Sequence, residues 1–296
     1  MALLDEIAAT IKAVADKAGP SVVGVNRHGT GFVVGEDKVV TNAHNLRGPE
    51  TFVVFEDGRT ETATPAGVDI DGDLAVITVS TRDTPAIDWS EAPAPAVLGT
   101  PVIALSNPRG RGLRATLGTV SAVGRSFRGP RGRRISGSLE HTAPLARGSS
   151  GGPVLDRDGK VVGINTHRLE EGLYLAIPAD GALRAKLTSL GQGTVPRHRQ
   201  LGVAIIPEPA ASRIRAAAGL PPADGLLVRG VEEDGPAGKA GVRRGDVIGS
   251  VGARRIETLD DLYDALDTDE TEIELQLTRA TEPITVTVRF EGTSAR

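Results

Sequence analysis

The chain has 296 residues, a length that suggests two domains rather than one. Hydrophobic residues make up 39% and charged residues 24%, and its 37 Gly and 19 Pro fall in no repeat, which excludes collagen-like and low-complexity classes. A net charge of −4 with interspersed signs gives no reason to expect nucleic acid or an anionic membrane as partner, and the lack of cysteine excludes disulfides, a thiol nucleophile and a Cys-based metal site.

Residues 3–17 predict an amphipathic helix, with Leu3, Ile7, Ile11 and Val14 at helical spacing and Gly19-Pro20 as the stop. The N-terminus has no basic n-region, and Asp5, Glu6 and Lys12 interrupt its apolar run, so it does not read as a signal peptide. No apolar run is long enough for a spanning helix. The chain as it reads is cytoplasmic; removal of a targeting segment would make it periplasmic or extracellular.

From residue 21 to about 176 the pattern changes to short strands: 22–25, 31–34, 39–41, 51–55, 74–79, 101–105, 118–123, 153–155, 161–165 and 173–177. Turn residues such as Asp57-Gly58 and Asp158-Gly159 separate them. So many strands without long intervening helices predict barrels or a sandwich. Within this region Arg125, Arg128, Arg131, Arg133 and Arg134 cluster around Gly and Pro. That segment reads as a solvated, mobile loop, with a docking patch for an acidic partner as the alternative. A short helix over 179–190 leads to a small, polar, basic linker.

Beyond the linker, 201–205 and 225–231 read as strands and 209–218 as a helix. Residues 258–267 form a helix with Leu259, Leu262, Tyr263 and Leu266 on one side. Two alternating strands follow, through Ile273, Leu275 and Leu277, then Ile284, Val286, Val288 and Phe290.

The chemistry concentrates in Gly148-Ser149-Ser150-Gly151-Gly152-Pro153. A serine hydroxyl is a weak nucleophile until a base takes its proton. Flanking glycines permit tight turns that aim N–H groups at one point, which suits an oxyanion. Taken alone, such a motif is as often a plain loop. A base is available in Thr41-Asn42-Ala43-His44, just after an apolar strand, and an acid in Asp71-Gly72-Asp73, just before one. A lone His or Asp there is usually structural. Together they run His, Asp, Ser, the chymotrypsin-like order rather than the subtilisin or α/β-hydrolase order. The nucleophile is not in a G-x-S-x-G elbow, which disfavours an esterase. His28, His141, His167 and His198 share no metal-ligand spacing, so no metal site is expected. His141 and His167 fall near the nucleophile segment, close to the expected cleft.

Four segments, 29–46, 71–79, 99–123 and 148–166 with 174–180, resemble the HtrA/Deg family of trypsin-like serine proteases. Leu201-Gly202-Val203, residues 235–242 and Gly245-Asp246-Val247-Ile248 resemble a bacterial PDZ domain. The resemblance implies an all-β chymotrypsin-like double β-barrel protease domain over 1–190 (helix 1–19), a linker over 191–199 and a small α+β PDZ domain over 200–292. It implies His44 as general base, Asp73 as the orienting carboxylate and Ser150 as nucleophile, with no cofactor. Gly148, Ser149 and Ser150 would supply the oxyanion hole. Leu145 and Leu173 stand where the family lines its substrate pocket, with no acid among them, which suggests an apolar residue on the acyl side. Leu201, Gly202 and Val203 would form the peptide-binding edge, with Arg199 near the peptide carboxylate and Leu262 and Leu266 lining the groove; the plain alternative is that both leucines are core.

The sequence departs from the family at three places, with Ser149 for the usual Asn, Ala146-Arg147 for Asn-Pro and Thr142 for Asp. The implied function is an ATP-independent endopeptidase acting on unfolded or tagged polypeptides, with C-terminal peptides as PDZ ligands. The alternative is a peptide-binding chaperone or adaptor that cleaves little. Family members often form homotrimers through the N-terminal segment, and residues 1–31 contain no aromatic residue.

Overall fold

The computed structural model describes residues 3–46, 48, 50–87, 95–170, 172–195, 199–206, 210–268 and 270–290. It divides into two compact units, Met1–Pro196 and Arg197–Arg296. The division falls inside the expected linker, of which residues 196–198, including His198, lie outside the described residues. So do residues 209 and 291–292, the ends of an expected helix and of the expected second domain.

The first unit opens with helix α1 (Leu3–Ala18). Strands β1 (Val22–Val25), β2 (Gly29–Gly35), β3 (Lys38–Thr41), β4 (Thr51–Val54), β5 (Thr60–Asp69) and β6 (Leu74–Thr78) follow. They close a barrel in the order β1-β2-β3-β6-β5-β4. Strands β7 (Pro101–Ser106), β8 (Arg114–Arg128), β9 (Arg134–His141), β10 (Pro153–Leu155), β11 (Val161–Glu170) and β12 (Leu173–Pro178) close a second barrel. Its order, β7-β8-β9-β12-β11-β10, repeats that of the first. Closure leaves no open sheet edge in either barrel.

The apolar runs are continuous because both strand faces are buried. Val23, Val25, Val39 and Val53 fill the first barrel, and Val102, Ala104, Val154 and Val162 the second. Their neighbours Val22, Val40, Ile103 and Leu155 point outward into a third core, shared with α1 and with α2 (Gly181–Gly191). Alternation along a strand sends successive side chains to opposite faces, so Val-Val pairs serve two cores at once. Asp180 caps α2 by accepting from Leu183 N at 2.8 Å.

Strands β5, β8 and β9 differ from the sequence expectation. Strand β5 reads TETATPAGVD, and its outward face is polar enough to hide the alternation. The basic segment 125–134 is not a loop: Arg125–Arg128 ends β8, Arg134 begins β9, and only 129–133 turns. Gly129 N donates to Arg133 O at 2.8 Å and Arg128 Nη1 to Gly132 O at 2.8 Å, closing a hairpin on which Arg125, Arg128, Arg131 and Arg134 are exposed and Arg133 is half-buried. Charge on an exposed strand face resembles a loop when pairing is invisible.

The second unit is an antiparallel sheet with short helices. Strands β13 (Val203–Ile206), β14 (Leu226–Val231), β15 (Val247–Val251), β17 (Glu272–Arg279) and β18 (Glu282–Arg289) lie in that order, and β16 (Arg254–Arg255) pairs with β15. Helices α3 (Ala210–Ala217), α4 (Pro236–Lys239) and α5 (Leu259–Leu266) pack with them. Thr258 and Asp261 form a reciprocal capping box at the start of α5. Asp246, 1% exposed, accepts from Arg243 N and from Arg279 Nε and Nη2, tying the turn before β15 to the end of β17. No helix among the described residues is long and apolar enough to cross a membrane.

Candidate active site

His44 sits in a single 3-10 turn (Ala43–Asn45) that ends β3. Its ring Nδ1 lies 2.9 Å from Asp73 Oδ1 and 2.8 Å from Oδ2. A carboxylate only accepts, so Nδ1 carries the proton and Nε2 is left as the basic nitrogen. Asp73 is 2% exposed and takes a left-handed backbone conformation, φ 54°. Such a residue needs its surroundings to hold it. Its carbonyl accepts from Asn42 Nδ2 at 2.8 Å, its carboxylate from His44 N at 3.1 Å and from Thr166 Oγ1 at 2.7 Å. The preceding turn is fastened by Asp69, which accepts from Gly72 N and from Lys186 Nζ, each at 2.8 Å.

Ser150 comes from the second barrel, yet its carbonyl is held by the first. It accepts from Thr30 N and from Asn45 Nδ2, each at 2.9 Å. Asn45 adjoins His44, so one amide side chain fixes the distance between the imidazole turn and the serine loop. Gly151 N donates to Asn165 O and Asn165 N to Gly152 O, which sets Thr166 beside Ser150. The Ser150 hydroxyl donates to Thr166 O at 2.9 Å; among the described residues it makes no hydrogen bond to His44. Side-chain rotation about χ1, a fast motion, is what would re-aim it.

Ser149 N donates to Ala146 O at 3.2 Å, closing a turn with Gly148 at its third position, φ 90°. A positive φ there is the type II geometry, whose central peptide is turned over relative to type I. The N–H groups of Gly148 and Ser150 have no acceptor among the described residues. The Ser149 N–H, expected to join them, closes the turn instead. Its side chain points inward to Ser106 Oγ at 3.1 Å.

Beside Ser150 lies a cavity of about 240 Å3, walled by Leu145, Asn165, Thr166, His167 and Tyr174. Leu173 is not among its walls: its neighbour Tyr174 is, and Tyr174 Oη donates to Leu145 O at 3.4 Å. Behind it His141, 1% exposed, stacks on Tyr174 and hydrogen-bonds Asn165 Oδ1 through Nε2 at 2.9 Å. Burial lowers the His141 pKa below the usual imidazole value, against the opposing pull of Asn165. The ring is therefore neutral near pH 7 and belongs to the cavity's support. His167 lines the cavity and stacks on Phe127, whereas His28 lies elsewhere.

The trypsin-like peptidase domain matches residues 29–164 and the PDZ domain residues 227–279. A probable periplasmic serine endoprotease, DegP-like, from Brucella suis is 35% identical over 243 residues, covering 79% of this chain and 46% of that protein. The putative serine protease HhoB of Synechocystis is 31% identical, covering 81% of this chain and 60% of its own. The chain belongs to the HtrA/Deg family. Among solved structures, the HtrA-type protease AlgW with a decapeptide superposes with a TM-score of 0.68 at 22% identity, over 94% of this chain and 97% of that one. A serine endoprotease from Yersinia pestis gives 0.66 at 25%, over 94% and 96%. The chain spans about half the length of the curated relatives it matches.

In this HtrA/Deg member, His44, Asp73 and Ser150 meet where the two barrels meet. Thr166, Asn45 and Tyr174 complete the arrangement. Sequence reading assigned them no role, although Thr166 closes the quoted nucleophile segment and Asn45 follows the histidine.

In the second unit, Leu201, Leu262 and Leu266 are buried in one core, with Val203 and Ile205 packed against it. Gly202, φ 73°, accepts from Glu232 N at 2.8 Å through its carbonyl, and Leu201 O accepts from Ala237 N at 2.9 Å. Strand β13 pairs with β14 on one side only, among the described residues. Arg199 lies over the Phe290 ring at 5.0 Å, and its Nη1 is buried without a hydrogen-bond partner.

Proposed function

We propose that this chain is a serine endopeptidase. Ser150 Oγ turns from Thr166 O to His44 Nε2, gives up its proton and attacks the peptide carbonyl. Asp73 holds the imidazole and stabilises it once charged. The N–H groups of Gly148 and Ser150 receive the oxyanion. His44 then protonates the leaving amine, and a water activated the same way hydrolyses the acyl-enzyme. The observation that carries this reading is the contact of His44 Nδ1 with both Asp73 oxygens beside a serine held by Asn45.

Leu145 and Tyr174 supply apolar wall for a substrate side chain, the role assigned to Leu145 and Leu173 on sequence grounds. In the second unit, the open edge of β13 accepts an extended peptide as an added strand. That edge begins at Val203; Leu201 and Gly202, expected to belong to it, lie in the turn that leads into it, Leu262 and Leu266 lie in the core behind it, and Arg199 is the nearby cation for a C-terminal carboxylate. The substrates proposed are unfolded or tagged polypeptides, cleaved without ATP. A homotrimer is part of this reading, and light scattering tests it. The Brucella suis relative is named periplasmic, and we place this chain in the same compartment once any leader is removed; cell fractionation tests that.

The experiment is casein cleavage by the wild type and by Ser150→Ala, with and without a peptide ending in an apolar residue. Cleavage by the wild type alone, raised by the peptide, supports the reading; equal cleavage by both proteins overturns it. The Ser150–Thr166 hydrogen bond favours one second reading, a peptide binder that turns over little, marked by binding without cleavage.

A further inference from the structure

A cavity of about 930 Å3 opens against His44 and shares no lining residue with the one beside Ser150. The larger cavity is walled by His44 and the smaller by Ser150. The walls of the larger bring Arg27, His28, Arg109 and Arg111 together against a single carboxylate, Glu50. The four basic side chains are exposed, and none has an ion-pair partner among the described residues. The whole chain carries −4, so this is a local field opposed to the net charge.

The cations are held on a rigid frame. Arg27 and His28 lie in the turn between β1 and β2, on the first barrel, and Arg109 and Arg111 follow β7, on the second. Arg109 has φ 64°, a conformation glycine would take freely. The turn around it is pinned: a Cβ on Gly24 would lie 2.4 Å from Gly110 N, and one on Gly110 would lie 2.3 Å from Val54 Cγ1. Both loops reach the oxyanion turn, since a Cβ on Gly148 would lie 3.3 Å from Pro108 Cβ and 3.5 Å from His28 O.

When acyl transfer occurs, the acyl half of the substrate stays on Ser150 with its side chain in the smaller cavity. The leaving amine takes its proton from His44, so the leaving half of the chain departs past the imidazole. We infer that the cavity bounded by Arg27, His28, Arg109 and Arg111 is a leaving-side subsite that selects acidic residues just after the scissile bond. This rests on the protease reading above. Clustered charge at the mouth of a cleft raises the capture of opposite charge, and salt suppresses it.

The test uses internally quenched peptides with one common acyl half and either Asp/Glu or Lys/Arg in the leaving half. A third substrate class, a peptidyl aminocoumarin amide with the same acyl half, has no leaving-side residues. The acidic peptides should show kcat/KM on the order of tenfold above the basic ones, shrinking toward parity in about 1 M salt. In the Arg109→Gly/Arg111→Ala double variant the acidic-to-basic ratio should fall toward one. A ratio within one preparation does not depend on how much of the variant folds. Equal rates on both peptides in the wild type, or a ratio unchanged in the variant, overturns the subsite while the aminocoumarin amide is still cleaved. Failure to cleave any of them overturns the protease reading and the subsite with it.

Discussion

The Thr166 hydroxyl donates to Asp73 Oδ2 at 2.7 Å, across the boundary between the two barrels. The backbone carbonyl of that same threonine accepts from Ser150 Oγ at 2.9 Å. One residue thus touches both ends of the proposed relay. Its side chain serves the carboxylate, and its main chain parks the nucleophile.

Thr166→Val removes the first contact and keeps the second. A hydrogen bond to a buried charged group contributes about 1.5–3 kcal/mol, so kcat should fall roughly tenfold to hundredfold with little change in KM. Thr166→Ser should restore most of the rate. Steady-state kinetics on one peptide substrate reads both.

The two glycines flanking Ser150 should behave differently. Gly151 has φ 89° and a Cβ there would lie 2.1 Å from Thr30 O, so Gly151→Ala should prevent the serine loop from docking and lower the thermal midpoint. Gly148 has φ 90° but its nearest neighbour would lie at 3.3 Å, so Gly148→Ala meets backbone strain rather than collision. It should fold and lose activity, as the turn relaxes and withdraws its N–H. Thermal melts with kinetics on both variants check the contrast.

Much of this was readable from the residues because strands buried on two faces announce themselves. Val22–Val25, Lys38–Thr41 and Pro153–Leu155 lie where apolar runs place them. Strand β5 and the arms of the 125–134 hairpin stayed hidden because their outward faces carry Thr, Glu and Arg. The order His44, Asp73, Ser150 pointed to a shared site, but nothing local marks Thr166 or Asn45. Their roles arise from the contacts of Asn165 with Gly151 and Gly152 and from Asn45 reaching Ser150 O, both tertiary facts. Leu173 was displaced from the pocket by one residue, the smallest error that turns a strand side chain to the opposite face.

His141 makes stability depend on pH. Burial depresses its pKa in the folded protein, so the unfolded chain binds a proton first as pH falls. Its contribution is intact above the ordinary imidazole value of about 6.5 and is lost as pH drops from there toward the depressed folded value. Between pH 7.5 and 5.5 the wild type should lose more of its thermal midpoint than His141→Gln. Equal losses would contradict the assignment.

In the second unit, Arg279 is the side-chain partner of buried Asp246. Arg279→Met leaves that carboxylate with only the Arg243 N–H. Stranding a buried charge costs about 3 kcal/mol, so the unit 197–296 should unfold at lower denaturant. Hydrogen exchange resolves it from the first unit, whose protection should be unchanged.

The central claim is that Ser150 is activated by His44 next to a ready oxyanion site. Fluorophosphonate labelling followed by peptide mass mapping tests it most directly. The wild type should carry one adduct, on Ser150, formed far more slowly in His44→Ala and absent in Ser150→Ala. An unlabelled Ser150 in folded wild type, with or without a peptide ending in an apolar residue, or a rate unaffected by His44→Ala, would contradict it.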